Sequence, residues 1–222
     1  MDWTALALSL HLAGWTVAIL LPVSILAGRA LAYHRFPGKR LVEALILLPL
    51  VLPPTVFGFY LLTAFGGASP LGQLWTQVFG GQLVFSFPGL VLASVLFNLP
   101  FAIQPAQRGF EAVGVELREA AACCGMSPLR RLWRIELPLA WPGVLTALVL
   151  TFAHTLGEFG IVLMVGGSIP GETRTIAISI YDSVQGFDDR GAAIMSAVLV
   201  AISLSAILTT TLLSARIGRR LG

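Results

Sequence analysis

The residues able to do chemistry fall in two places. The first is an apolar run in which Thr151, His154, Thr155 and Glu158 recur at i, i+3, i+4 and i+7, a polar stripe along one face of a helix. His154 and Glu158, one turn apart, have the spacing to share a hydrogen bond. A preceding run adds Ser94 and Asn98 on one face, followed by Pro100. Ionisable side chains inside an apolar run are costly enough to point to function. The second place is residues 119–138, EAAACCGMSPLRRLWRIELP, where three arginines and two glutamates interrupt an otherwise apolar chain. Its adjacent Cys123 and Cys124 have no histidine or second cysteine pair at metal-ligand spacing and are read as small packing residues, so no metal site is expected. No paired acid and base and no metal constellation stands at a membrane face, which argues against a membrane-embedded enzyme. Lys39 is the only lysine and no GxxxxGK[ST] loop occurs, so the chain is expected not to bind and hydrolyse ATP itself.

The elements that must carry these residues follow from composition. Of 222 residues, 56% are hydrophobic and 11% charged, with a mean hydropathy of +0.86, values of an all-α integral membrane protein. Crossing about 30 Å of hydrocarbon takes roughly 20 helical residues. Five runs qualify, at about 5–32, 42–66, 86–106, 139–165 and 190–215, within a single transmembrane domain over 1–222. Met1-Asp2-Trp3-Thr4 lacks a basic leader, so the first run is read as a true span. Twelve of the fourteen Lys and Arg residues lie between spans one and two, between spans three and four, or in the tail, leaving Arg174 and Arg190 on the other side. The positive-inside rule then puts the amino terminus outside and the carboxyl terminus in the cytoplasm, a parity that five spans satisfy. Pro49, Pro53 and Pro54 should bend or break span two. A short helix is expected outside the membrane at 69–80, with Ser69 as cap and Trp75 at the interface, and a short outer-side or re-entrant helix at 173–185.

The loop at about 107–138 is therefore cytoplasmic. Residues 115–124 have helical propensity, and Gly125 can adopt the left-handed conformation that ends a helix. Ser127-Pro128 reads as a cap and first turn of a second helix through about Trp133, with Pro138 opening span four. The short side chains of 120–124 allow close approach to another backbone, and Glu116, Arg118 and Glu119 can fix its register. On composition alone the loop is equally a solvated connector held near the headgroups by its arginines.

The spacing adds to this. Glu119-Ala120-Ala121, then Gly125, Ile135 and Leu137-Pro138 resemble the EAA-x3-G-x9-I-x-LP signature of binding-protein-dependent ABC importer permeases. The resemblance implies a type I importer architecture, similar to methionine permeases, in which coupling helices between spans three and four dock on a separate ATPase. Glu116, Glu119, Ala120, Ala121, Gly125, Ile135, Leu137 and Pro138 would form that ATPase-coupling element. Gly114 stands where relatives often have a capping Asp or Asn, so the helix should start less firmly. Residues 36–58 (FPGKRLVEALILLPLVLPPTVFG), 155–160 (TLGEFG) and 169–176 (IPGETRTI) resemble bacterial molybdate permeases; tungstate and sulfate permeases are near alternatives.

That resemblance implies a homodimer in the bacterial inner membrane, with ATP and magnesium bound by partner ATPase subunits and an external oxyanion-binding protein delivering the ion. It implies no cofactor in this chain and no nucleic acid partner. A transporter working alone would need inverted repeats or coupling-ion ligands in the spans, and neither is evident. Ser94, Asn98, Thr151, His154, Thr155 and Glu158 are the candidate pathway or gate residues, although Ser and Thr hydroxyls also bond back onto their own turn. A carboxylate repels an oxyanion, so Glu158 is read as a gate or packing residue, its partner His154 or a backbone amide across the dimer.

Overall fold

In the computed structural model residues 1–221 are described, and beyond residue 209 only the side chain of Leu212. The tail arginines Arg216, Arg219 and Arg220 thus lie outside the described side chains. All regular structure among the described residues is helical.

Helix α1, Trp3–Tyr33, is the first span, and the Asp2 carboxylate caps it by accepting from the Ala5 N–H at 2.9 Å. The second run is broken into α2, Lys39–Val51, and α3, Pro54–Phe65, whose axes bend by 111°. Pro49 is absorbed inside α2, so the break comes from the later pair of prolines. Leu52 and Pro53 each precede a proline, which disfavours helical backbone, and both are extended with ψ of 138° and 136°. Helix α4, Pro70–Phe79, is capped by Ser69 and leaves Leu71, Leu74 and Val78 exposed, as an interfacial helix would. Helix α5, Phe87–Glu111, is the third span. With the bent pair counted as one span, five segments among the described residues are long and apolar enough to cross a membrane.

The loop holds α6, Val115–Cys123, and α7, Pro128–Arg131, which continues through a π-turn at Leu132–Glu136 into α8, Leu137–Leu156. Span four therefore does not open at Pro138; its helix runs unbroken from Pro128. Pro138 has no N–H, and its ring crowds the carbonyl four residues back. The wider π-turn just before it relieves that crowding, with the Leu137 N–H reaching back to the Leu132 carbonyl. The expected span 139–165 is interrupted as well: α8 ends at Leu156, and α9 covers Gly160–Gly166. Hydropathy runs on through Gly157-Glu158-Phe159 but the helix does not, because Phe159 takes φ −122° and ψ −65°. Helix α10, Ile176–Gln185, is the short helix expected near 173–185, and α11, Asp189–Leu221, is the last.

Helices α1, α5 and α8 pack most extensively on one another. They meet through small residues: a Cβ on Gly143 would lie 2.6 Å from Gly109 Cα, and one on Gly28 2.9 Å from Gln107 N. Lipid supplies no hydrophobic force between spans, so close backbone approach of this kind holds them together. One buried cluster joins α3, α5 and α9 around Leu61, Phe97 and Val162; a second joins α5 and α8 around Phe110 and Val144.

Candidate functional site in the broken spans and the 107–138 loop

Glu158 lies in the gap between α8 and α9, its side chain fully buried. It is thus off the helix that carries Thr151, His154 and Thr155, and its partners come from α5. Ser94 Oγ donates to Glu158 Oε2 at 2.5 Å, and Asn98 Nδ2 donates to Oε1. The Asn98 amide also reaches Thr155 Oγ1 at 3.1 Å and the Ser94 carbonyl at 2.8 Å. The expected His154–Glu158 hydrogen bond is absent: Nδ1 is 3.7 Å from Oε1 and instead pairs with Asn98 Oδ1 at 2.9 Å. The carbonyl oxygen of Asn98 can only accept, so Nδ1 of His154 is the donor. The ring stacks on Phe101, centroids 4.0 Å apart. Ending α8 two residues before Glu158, at Leu156, turns the carboxylate towards α5 and leaves the histidine on the helix face. Thr151, one turn earlier, does not join: its hydroxyl is buried without a hydrogen-bond partner among the described residues.

A cavity of about 360 Å³ opens beside this cluster, lined by His154, Gly157 and Glu158 and by Pro54 and Thr55 of α3. The two broken spans therefore meet at one level. Gly160 permits it, since a Cβ there would lie 3.2 Å from Pro54 Cβ. Freed backbone can line a cavity only where a helix is interrupted.

In the loop, Gly125 has φ +73°. The Met126 N–H donates to the Ala121 carbonyl at 3.1 Å and the Gly125 N–H to that of Ala122 at 2.9 Å, the paired bonds of a Schellman cap. Gly114 begins α6 without a side-chain cap. The signature residues divide by exposure. Glu116, Glu119, Ala120, Gly125 and Pro138 face out, Ala121 and Leu137 are buried, and Ile135 is half-buried. Cys123 and Cys124, expected to pack, are free and exposed. Val115, Leu117, Leu129 and Trp133 are exposed apolar neighbours on the same loop.

One constellation was missed by sequence reasoning. Glu136 is fully buried and bonded by Arg29 and Arg131, with Arg118 beside it. The available signal was an acid between apolar Ile135 and Leu137, within one to two helical turns of Arg131. Arg29 and Arg131 served only to fix topology, and Arg118 also to set the register of the first loop helix.

Comparisons with known proteins identify the family of the chain. A family model described as binding-protein-dependent transport system inner membrane component matches residues 21–222. The chain is 48% identical over 188 residues to the molybdenum transport system permease protein ModB of Azotobacter vinelandii, covering 84% of this chain and 83% of that one. It is 36% identical over 219 residues to ModB of Escherichia coli K12, covering 98% and 95%. A probable sulfate transport system permease protein, cysT of Chlorella vulgaris, is 33% identical over 178 residues, 80% of this chain and 66% of that one. Among solved structures, a bacterial ABC transporter involved in alginate import has a TM-score of 0.77 at 18% identity, covering 96% of this chain and 79% of its own. The MetNI methionine ABC transporter has 0.69 at 18%, covering 97% and 94%. The fold is that of a type I ABC importer permease, multi-pass in the inner membrane. The chain belongs to the family of binding-protein-dependent transport system inner membrane components.

Proposed function

We propose that this chain is the membrane subunit of an ATP-driven molybdate importer. The observation that carries the reading is its similarity, over nearly its whole length, to molybdenum transport permeases. It works as a homodimer with the pathway between the two copies, a twofold arrangement that suits its five thin-walled spans. Its amino terminus is outside and its carboxyl terminus cytoplasmic. An oxyanion-binding protein loads it from outside, and two ATPase subunits, which bind ATP and magnesium, drive it from the cytoplasm. The exposed Glu116, Glu119 and Ala120 on α6, turned back by Gly125, meet the ATPase; buried Ala121 and Leu137, with Ile135, seat that surface on the bundle.

The Ser94, Asn98, Thr155, His154 and Glu158 cluster holds span three against the break in span four, so Glu158 acts in the gate and not as a ligand. Its oxygens are already occupied by donors of its own chain, and a carboxylate repels an oxyanion. Selectivity therefore rests mainly with the binding protein. Sulfate is the second reading, favoured by the similarity to the sulfate permease. Titrating the binding protein that co-purifies with the permease against molybdate and sulfate decides between them. Tighter molybdate binding is expected, and a preference for sulfate would replace the first reading by the second.

A further inference from the structure

Three guanidiniums converge on one carboxylate at the cytoplasmic edge of the bundle. Glu136 closes the π-turn with its side chain fully buried. Arg29, in the last turns of α1, donates to Oε2 at 2.5 Å, and Arg131 donates to Oε1 at 2.8 Å. Arg118, in the middle of α6, has its Nε 3.6 Å from Oε1, outside hydrogen-bond reach. Its guanidinium lies over the ring of Tyr33, 3.3 Å from the centroid, and the Tyr33 hydroxyl donates to the Phe110 carbonyl at 3.0 Å. One carboxylate thus gathers α1, α6 and the start of span four, and Tyr33 adds the end of α5. Helix α6 has little other purchase on the bundle, since Ala121 is its single buried residue. Charges this deep persist only when paired, and removing one partner leaves the others uncompensated.

We propose that Glu136 is a positioning residue that transmits displacement of α6 to spans one and four. The proposal rests on α6 being the ATPase-docking element. When α6 moves, Arg118 moves with it against Tyr33 and the carboxylate, and Arg29 carries the displacement into α1. The π-turn, whose hydrogen bonds are already shifted by Pro138, is where the helix can take up the rotation. Without the charge at 136 the three cations repel, α6 is released from the spans, and ATP is spent without import.

The test uses the complete complex of permease, ATPase and binding protein in proteoliposomes, measuring molybdate imported per ATP hydrolysed. In Glu136→Gln, hydrolysis persists while import per ATP falls about tenfold, within the usual range of coupling between sites. A ratio equal to the parent's overturns the proposal. Should Glu136→Gln not reach the membrane folded, Arg29→Lys is read in the same assay; it keeps the cation but loses the guanidinium geometry, and must lower the ratio severalfold. A parental ratio there equally overturns the proposal. Failure of the docking reading has a separate signature, an ATPase that co-purifies undiminished with Gly125→Val. A β-branched residue resists the positive φ that turns the docking helix, so this variant should insert normally yet lose the ATPase.

Discussion

Asn98→Leu keeps the volume of a side chain that holds two spans together and removes its polar atoms. Asn98 bridges α5 to the end of span four through Thr155 Oγ1 at 3.1 Å, His154 Nδ1 at 2.9 Å and Glu158 Oε1. Hydrogen bonds between spans are worth about 0.6–1.7 kcal/mol each, so the three together contribute about 2–5 kcal/mol. For a chain of this size that lowers the midpoint of thermal unfolding in detergent by roughly 4–20 °C. Ser24→Ala is the matched control: Ser24 is equally buried, but its hydroxyl bonds to the Leu21 carbonyl of its own helix, a loss of about 1 kcal/mol or less. Glu158→Leu combined with Asn98→Leu should cost less than the sum of the single changes, because both remove the same bond. An Asn98→Leu midpoint no lower than that of Ser24→Ala, or strict additivity in the cycle, would refute the account of the cluster.

Two further outcomes are expected. Gly143→Ala puts a methyl 2.6 Å from the Pro105 carbonyl and Gly109 Cα, forcing α5 and α8 apart at about 1–3 kcal/mol, whereas Gly14→Ala meets nothing within 4 Å; the yield of monodisperse protein after solubilisation should fall for the first change and not for the second. Reporter fusions at Gly38 and Ser127 should signal cytoplasm and one at Gly80 the outside, and a cytoplasmic signal at Gly80 would overturn the orientation.

What the sequence disclosed was local. The cap at Gly125 and the turn at Ser127-Pro128 depend on neighbours in the chain, so propensity and φ preference suffice to read them. The break in span two follows from two consecutive prolines acting on the residues before them. What stayed hidden depends on distant partners. Arg29 and Glu136 are 107 residues apart, and no periodicity pairs them. Ser94, Asn98 and Glu158 were each visible as polar residues in apolar runs, but the tie across 60 residues or more was not, and helical spacing pointed instead to His154. That error has one cause. The i+7 position assumes that the helix continues past Leu156, and Gly157-Glu158-Phe159 carries no proline to announce that it stops. The π-turn was equally unannounced, because proline within a helix signals strain without saying how the chain relieves it.

The central claim is that this chain forms the path for an oxyanion but neither selects it nor powers it. Uptake of radiolabelled molybdate into proteoliposomes holding the permease, with ATPase, binding protein and ATP each withheld in turn, tests it most directly. Uptake should require all three and be competed poorly by sulfate. Accumulation by the permease alone, without ATP or partners, would contradict the account.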